Sequence, residues 1–136
     1  MDLSENERNY LNSQPLGRLA TLAPDGSPQS RPVGFFLNEA LGTIDIGGHN
    51  LGRSQKFRNV QRDGRVTLVV DDLASIDPWA PRGIEIRGEA EALTDAEPPR
   101  PGFSSELIRI HPNRVLAWGL DSDAFAAPLT RNVEHG

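Results

Sequence analysis

The chain has 136 residues, a formal charge of −5 and no cysteine. That length suits one domain able to bury a core without metals or disulfides, and the missing cysteines remove thiolate metal sites, disulfide frameworks and cysteine nucleophiles. The acidic balance argues against a nucleic-acid binder that works by neutralising phosphates.

No apolar run approaches the roughly 20 residues of a membrane-spanning helix. The start, MDLSENERNY, has neither the basic opening nor the apolar centre of a signal peptide; a soluble cytoplasmic protein is the expectation. Of the fourteen basic residues only Lys56 is a lysine.

In chain order, Ser4-x-x-Glu7 fits a capping box and opens a short helix through Ser13 that Pro15 ends. Gly17 to Ala23 reads as a strand. Pro24-Asp-Gly-Ser27 makes a tight turn, Gly26 supplying the positive φ such turns need. Pro28 to Leu37 returns as a second strand and Thr43 to Gly48 as a third, a meander of hairpins. A helix is predicted from about Gly52 to Arg62, with Asn50 or a neighbour as its cap.

Arg65 to Asp72 follows as a strand whose continuous apolar centre suggests cover on both faces. A Pro-containing loop, LASIDPWAPRG, leads to a half-buried strand with Ile84, Ile86, Gly88, Ala90 and Ala92 on one face and Glu85, Arg87, Glu89 and Glu91 on the other. TDAEPPRPGFSS is a polar surface excursion. ELIRIHP gives another alternating strand and NRVLAWG a last strand or a strand-like end, and the tail from Asp121 has little pattern, so that it is either loosely ordered or docked on a partner. No repeat divides the chain, and residues 1–136 form a single domain.

The stretch GGHNLGRSQKFRN, Gly47 to Asn59, raises a functional question. Gly47-x-x-x-x-Gly52-Arg53-Ser54 is one substitution from the P-loop pattern, and Val66 to Asp71 imitates its partner strand. A P-loop requires a parallel sheet with crossover helices, whereas this chain places hairpins before the loop and mostly strands after it. An ATPase is therefore disfavoured, but phosphate binding is not. A helix start offers unpaired amides and a positive dipole. At about 100° per residue, Arg53, Lys56, Phe57 and Val60 share one stripe, opposite Gln55, Arg58 and Arg62. Two cations beside a buried stripe need an anion, either a carboxylate of the fold or a ligand phosphate. Arg58 and Arg62 read as a solvated face.

The short helix, the hairpin LGRLATLAPDGSPQSRPVGFFL, then GTIDIGGHN, SQKFRNVQRDGRVTLVVDD, RGIEIRGEAEAL and IRIHPNRVLAWGL resemble, in that order, the pyridoxamine phosphate oxidase-like split β-barrel superfamily. Within it the sequence is most similar to the F420-dependent class and its dehydrotetracycline reductase branch. The resemblance spans about Leu11 to Leu120, and its most specific parts are SRPVGF, IDIGGHN with KFRNV, and DPWAPRGIEIRG.

The resemblance implies a mainly β, six-stranded antiparallel split β-barrel with a few short helices. It also implies a homodimer that holds a flavin or deazaflavin in each of two clefts between subunits. Carried over, Pro32, Val33 and Gly34 would flank the ring, Gly48, His49 and Asn50 would border the ribityl chain, and Ser54 and Lys56 would hold the phosphate. Some relatives have an Arg where this chain has Ser54, so Arg53 is the candidate substitute; a serine still donates one hydrogen bond. Arg31 is a candidate for the outer cleft or for an ion pair. Trp79 either closes the partner's cleft or covers a barrel end, His49 is a pocket donor or a turn residue, and His111 and Trp118 read as surface and packing residues.

With three histidines and no HExxH pattern a catalytic metal is not expected, and no G-x-S-x-G elbow supports a hydrolase. The expected activity is an F420-dependent oxidoreductase that delivers hydride to an electron-poor small molecule such as an enone. An FMN-dependent enzyme of the same fold, a non-catalytic flavin or F420 carrier, and a structural barrel without cofactor are the alternatives.

Overall fold

A computed structural model describes residues 1–134. The N-terminal helix α1 spans Glu5–Ser13 and carries the expected capping box in full: Ser4 Oγ accepts the Glu7 N–H at 3.1 Å, and Glu7 Oε1 accepts the Ser4 N–H at 2.9 Å. Strand β1, Gly17–Leu22, pairs antiparallel with β2, Pro28–Val33, through the turn in which Gly26 has φ 84°.

The predicted second strand does not run straight to Leu37. It breaks at Gly34 and Phe35, and β3, Phe36–Asn38, pairs instead with β4, Thr43–Ile46. After a 3-10 turn, Leu51–Arg53, comes helix α2, Gln55–Arg62. Strands β5 (Arg65–Ser75), β6 (Ala80–Leu93), β7 (Leu107–Trp118) and β8 (Leu129–Asn132) complete the chain.

The sheet order is β2-β1-β5-β6-β7-β4-β3, with β8 added on β7. The two ends of that path, β2 and β3, are separated by only Gly34 and Phe35, so the sheet curls until one bent strand closes it as a barrel. Counted with β2 and β3 as that single strand, six strands form the barrel, and β8 is the addition. The mainly β antiparallel expectation holds.

Three boundaries differ from expectation for identifiable reasons. ELIRIHP and NRVLAWG are one strand, because Pro112 sits at a bulge where Arg87 pairs with Arg114 and Gly88 with Pro112, leaving Asn113 as the extra residue. A Cβ on Gly88 would lie 2.3 Å from the His111 carbonyl oxygen, so the bulge requires glycine there. The loop LASIDPWAPRG is largely strand, since β5 and β6 extend to Ser75 and Ala80 and leave a four-residue tip with a cis Asp77–Pro78 bond. The tail is not patternless: Leu129 to Asn132 pairs with Ala117 to Arg114. It is also tied to α1, where Arg131 Nη2 lies 2.6 Å from the buried Glu7 carboxylate and Asp121 accepts from Ser4 and Asn6.

The core follows the strand alternation. Leu19, Ile44, Ile46, Leu68, Val70, Ile84, Ile86, Ile108, Ile110 and Val115 point inward and are buried. β5 is covered fully on that face alone, with Thr67 and Val69 half-buried behind it. Helix α2 contacts β1 and β6, and its Phe57 and Val60 enter the core as the stripe predicts.

Candidate functional site

The α2 start differs from the predicted one. Asn50 has φ 54° and its side chain caps nothing; the residues after it form the 3-10 turn, and Ser54 is the cap of α2. Ser54 Oγ accepts the Phe57 N–H at 3.3 Å and gives its single proton to the Leu51 carbonyl at 2.6 Å. Its hydroxyl is thus already used on both sides, and the phosphate contact expected of it requires that bond to be released.

Two amides expected to be free are taken. Leu51 N–H donates to Ser104 Oγ and Gly52 N–H to Glu106 Oε1, each at 3.0 Å. The first α-helical bond runs from Arg58 N–H to the Ser54 carbonyl, so Gln55 and Lys56 have no acceptor one turn back within α2. The open end of the helix therefore lies at these two residues rather than at Gly52.

Lys56 is half-buried, and no carboxylate among the described residues pairs with it. Burial and then the nearby positive charge of Arg31 push its ammonium below the ordinary lysine value. Arg31 is exposed on the edge strand β2, and among the described residues its guanidinium donates only to the Ser30 carbonyl, at 2.9 Å. Lys56 at the open helix start and Arg31 on β2 repel one another, and their charge is of the sign that an anion compensates.

Arg53 stands outside α2, in the 3-10 turn. The 100° projection assumed one continuous helix, but the 3-10 turn rotates Arg53 out of that frame. It is exposed and lines a different, shallow cavity with Asn50, Gln61, Thr94, Ser104 and Glu106.

The relative placement of Lys56 and Arg31 depends on a residue the sequence did not flag. Asn59 is fully buried, and its amide donates to Thr21 Oγ1 at 3.0 Å on β1 and to Gln29 Oε1 at 2.8 Å on β2. This clamps α2 to the hairpin that carries Arg31. A buried asparagine on a helix has no sequence signature beyond its place beside Val60.

Past Arg31 on β2, Pro32 is exposed, Val33 is buried, and Gly34 begins the bend into β3. After β4, the Gly48 carbonyl accepts from the Ser104 N–H and Oγ, both at 3.0 Å. His49 Nδ1 is 2.9 Å from the Gly102 carbonyl oxygen and its ring meets Phe103 edge-on at 5.1 Å. A Cβ on Gly47 would lie 2.8 Å from the Phe103 ring, so the 94–106 excursion rests directly on this turn. Phe103 and Ser104 thus shape the site from a segment that composition alone marked as surface loop, and Glu106 from the start of what was read as a strand.

Trp79 lies apart from this group at the β5–β6 tip. It is 55% exposed, next to Ile76 at 74%, and so does not cover a barrel end within its own chain. His111 bonds Glu91 at 2.5 Å on the outer face, and Trp118 is half-buried above Gly83. The P-loop alternative is excluded by topology, because β4 is antiparallel to both of its neighbours.

An antiparallel barrel closed by one bent strand, with a capped helix beside the bend, defines the split-barrel class. Comparison with known proteins makes the assignment specific. The sequence profile of the pyridoxamine 5'-phosphate oxidase family matches residues 3–123, and the chain belongs to that family. It is 42% identical to a 5a,11a-dehydrotetracycline/5a,11a-dehydrooxytetracycline reductase of Streptomyces rimosus subsp. rimosus, over 98% of this chain and 94% of the relative. A conserved hypothetical protein of Mycobacterium tuberculosis superposes with a TM-score of 0.66 at 25% identity, over 88% of this chain and 86% of that one. An F420 reductase superposes with a TM-score of 0.62 at 23% identity, over 83% and 98%, a likeness of fold. Family and reductase relative together place the chain among oxidoreductases. No helix among the described residues is long and apolar enough to cross a membrane.

Proposed function

We propose that the protein is an F420-dependent oxidoreductase that passes hydride from the reduced deazaflavin to an electron-poor small molecule such as a conjugated enone. The reductase relative supports the reaction class, and the observation that carries the cofactor reading is the uncompensated pair of Lys56 and Arg31 at the start of α2. A phosphate monoester or diester between them supplies the missing negative charge. Gln55 and Lys56 amides add donors, and the helix dipole has the right sign. The residues present therefore fit the phosphate of a flavin or deazaflavin.

From Arg31 to Gly34 β2 advances about 10 Å, so a ligand held at Lys56 and extended along this edge reaches the bend at Gly34. There Pro32, Val33 and Gly34 flank the ring, while Gly48, His49 and Asn50 border the linking chain from the β4 side. The deazaflavin supplies two-electron hydride chemistry when bound; the protein's part is to fix the phosphate, present the ring edge and keep water out.

The cofactor lies between two copies of the chain in this reading. Leu73, Ile76 and Trp79 are exposed apolar side chains at one hairpin tip, and a homodimer gives them cover and brings Trp79 to the partner's cleft. FMN is the second reading, favoured by the same phosphate site.

Fluorescence titration with F420 and with FMN tests the reading. The expected result is tight F420 binding and reoxidation of the reduced cofactor by an enone acceptor. Tight FMN binding with weak F420 binding selects the second reading, and binding of neither overturns both.

A further inference from the structure

A second cavity, of about 470 Å³, opens beside Gly34, between the C-terminal end of α1, the β2–β3 bend and the 94–106 excursion. Its walls combine Phe36 and Phe103 with Asn12, Ser13 and Gln14. The two phenyl rings stand edge to face at 6.4 Å. Arg100 completes the wall, its guanidinium stacked over Phe36 at 5.1 Å.

That guanidinium forms no hydrogen bond and no ion pair with any described residue, and no acidic residue lines the cavity. In a chain of net charge −5, a cleft in which Arg100 is the only charged residue among the described ones is selective by sign. Its apolar rings accept a flat surface, and the stacked arginine has its N–H edge free for an oxyanion. Gly34 forms part of the wall, and a Cβ there would meet nothing within 4 Å, so the backbone is open to close approach.

We infer that this cleft binds a flat, conjugated, anionic molecule, a carboxylate or enolate, with Arg100 as the residue that selects for the charge. The cleft adjoins Gly34, where the ring edge is proposed to lie, and His49, which touches Phe103. Its role as the site of the hydride acceptor rests on the proposed function; its preference for a flat anion does not.

The test uses the full-length protein without cofactor and two fluorescent probes of nearly equal shape, anthracene-9-carboxylate and 9-anthracenemethanol. The carboxylate is expected to bind at least fivefold more tightly than the alcohol. Arg100→Gln, at an exposed loop position, should erase that preference without shifting the unfolding midpoint, and Arg100→Lys should restore part of it. Asn12→Trp, at an exposed helix position facing the cleft, should weaken both probes together. Equal affinity for the two probes, no binding of either, or a preference that persists in Arg100→Gln overturns the inference. Titration of the same variants with F420 separates the two readings. F420 binding without carboxylate preference removes only this inference, and carboxylate preference without F420 or FMN binding removes only the cofactor reading.

Discussion

Burial, and after it the charge of Arg31 across the gap between β2 and α2, lowers the proton affinity of Lys56, and no carboxylate of the described fold relieves the repulsion. A lysine whose folded pKa lies below its unfolded value lowers stability while it is charged. The cost is complete below the folded pKa and disappears as pH rises to the unfolded value near 10.4. Lys56→Met keeps the aliphatic stem and removes the charge, so at pH 7 its thermal midpoint should rise. The same variant should bind F420 ten- to a hundredfold more weakly, roughly 1.5 to 3 kcal/mol for a charge-assisted bond. Differential scanning fluorimetry and fluorescence titration read the two effects. A lower midpoint with unchanged affinity would mean a structural ion pair instead.

Ser54 separates helix capping from ligand contact. Its hydroxyl bridges the Phe57 N–H and the Leu51 carbonyl, so Ser54→Ala should cost about 1 kcal/mol in urea unfolding, as loss of a helix cap does. Cofactor affinity should fall less than threefold, because the ammonium and the Gln55 and Lys56 amides remain. A loss as large as that of the lysine variant would show that the hydroxyl turns to the ligand.

Asp45 predicts how the barrel responds to acid. Burial alone would raise its carboxyl, but hydrogen bonds from Arg109, Asn38 and Thr43, at 3.0 to 3.2 Å, outweigh this and hold it below the usual carboxylate range. The stability it contributes is present above the unfolded value near 3.9 and is lost as pH falls through the lower folded value. Asp45→Asn should cost about 2 kcal/mol at pH 7, in the range for hydrogen bonds to a charged group. The gap from the native protein should be constant above about pH 5 and shrink below about pH 4. Urea midpoints from pH 7 to pH 3 measure this, and a gap that persists at pH 3 contradicts the assignment.

Much of this architecture was legible because it is local. The Ser4–Glu7 capping box, the turn at Gly26 and the alternation from Ile84 to Ala92 each follow from neighbouring residues, and each is found as written. The bend at Gly34 was not legible, since both of its arms have strand composition and only their pairing with different partners, β1 and β4, separates them. The site was legible to the extent that Lys56 stands on the buried side of α2. Its partner was assigned to Arg53 because a continuous helix was assumed; Arg31, twenty-five residues away in sequence, is brought near by the Asn59 clamp. The continuity of ELIRIHP with NRVLAWG was not legible for a related reason: proline is found inside a strand at a bulge, and a bulge is a property of the pair, here fixed by Gly88.

The β5–β6 tip tests the homodimer. Ile76 is 74% exposed and Trp79 55%, and both sit on a hairpin that projects beyond the sheet, where neither packs on its own core. Full burial of two such side chains is worth about 2 to 3 kcal/mol each by area, enough to move a dimer equilibrium by orders of magnitude. The double variant Ile76→Ser, Trp79→Ser should therefore leave the unfolding midpoint at low protein concentration almost unchanged while shifting sedimentation from dimer to monomer. If the cleft is shared, F420 affinity should fall with the loss of the dimer and return toward the native value at protein concentrations that restore it. A native chain that sediments as a monomer throughout, or a variant that remains dimeric with full affinity, would leave the hairpin without that role.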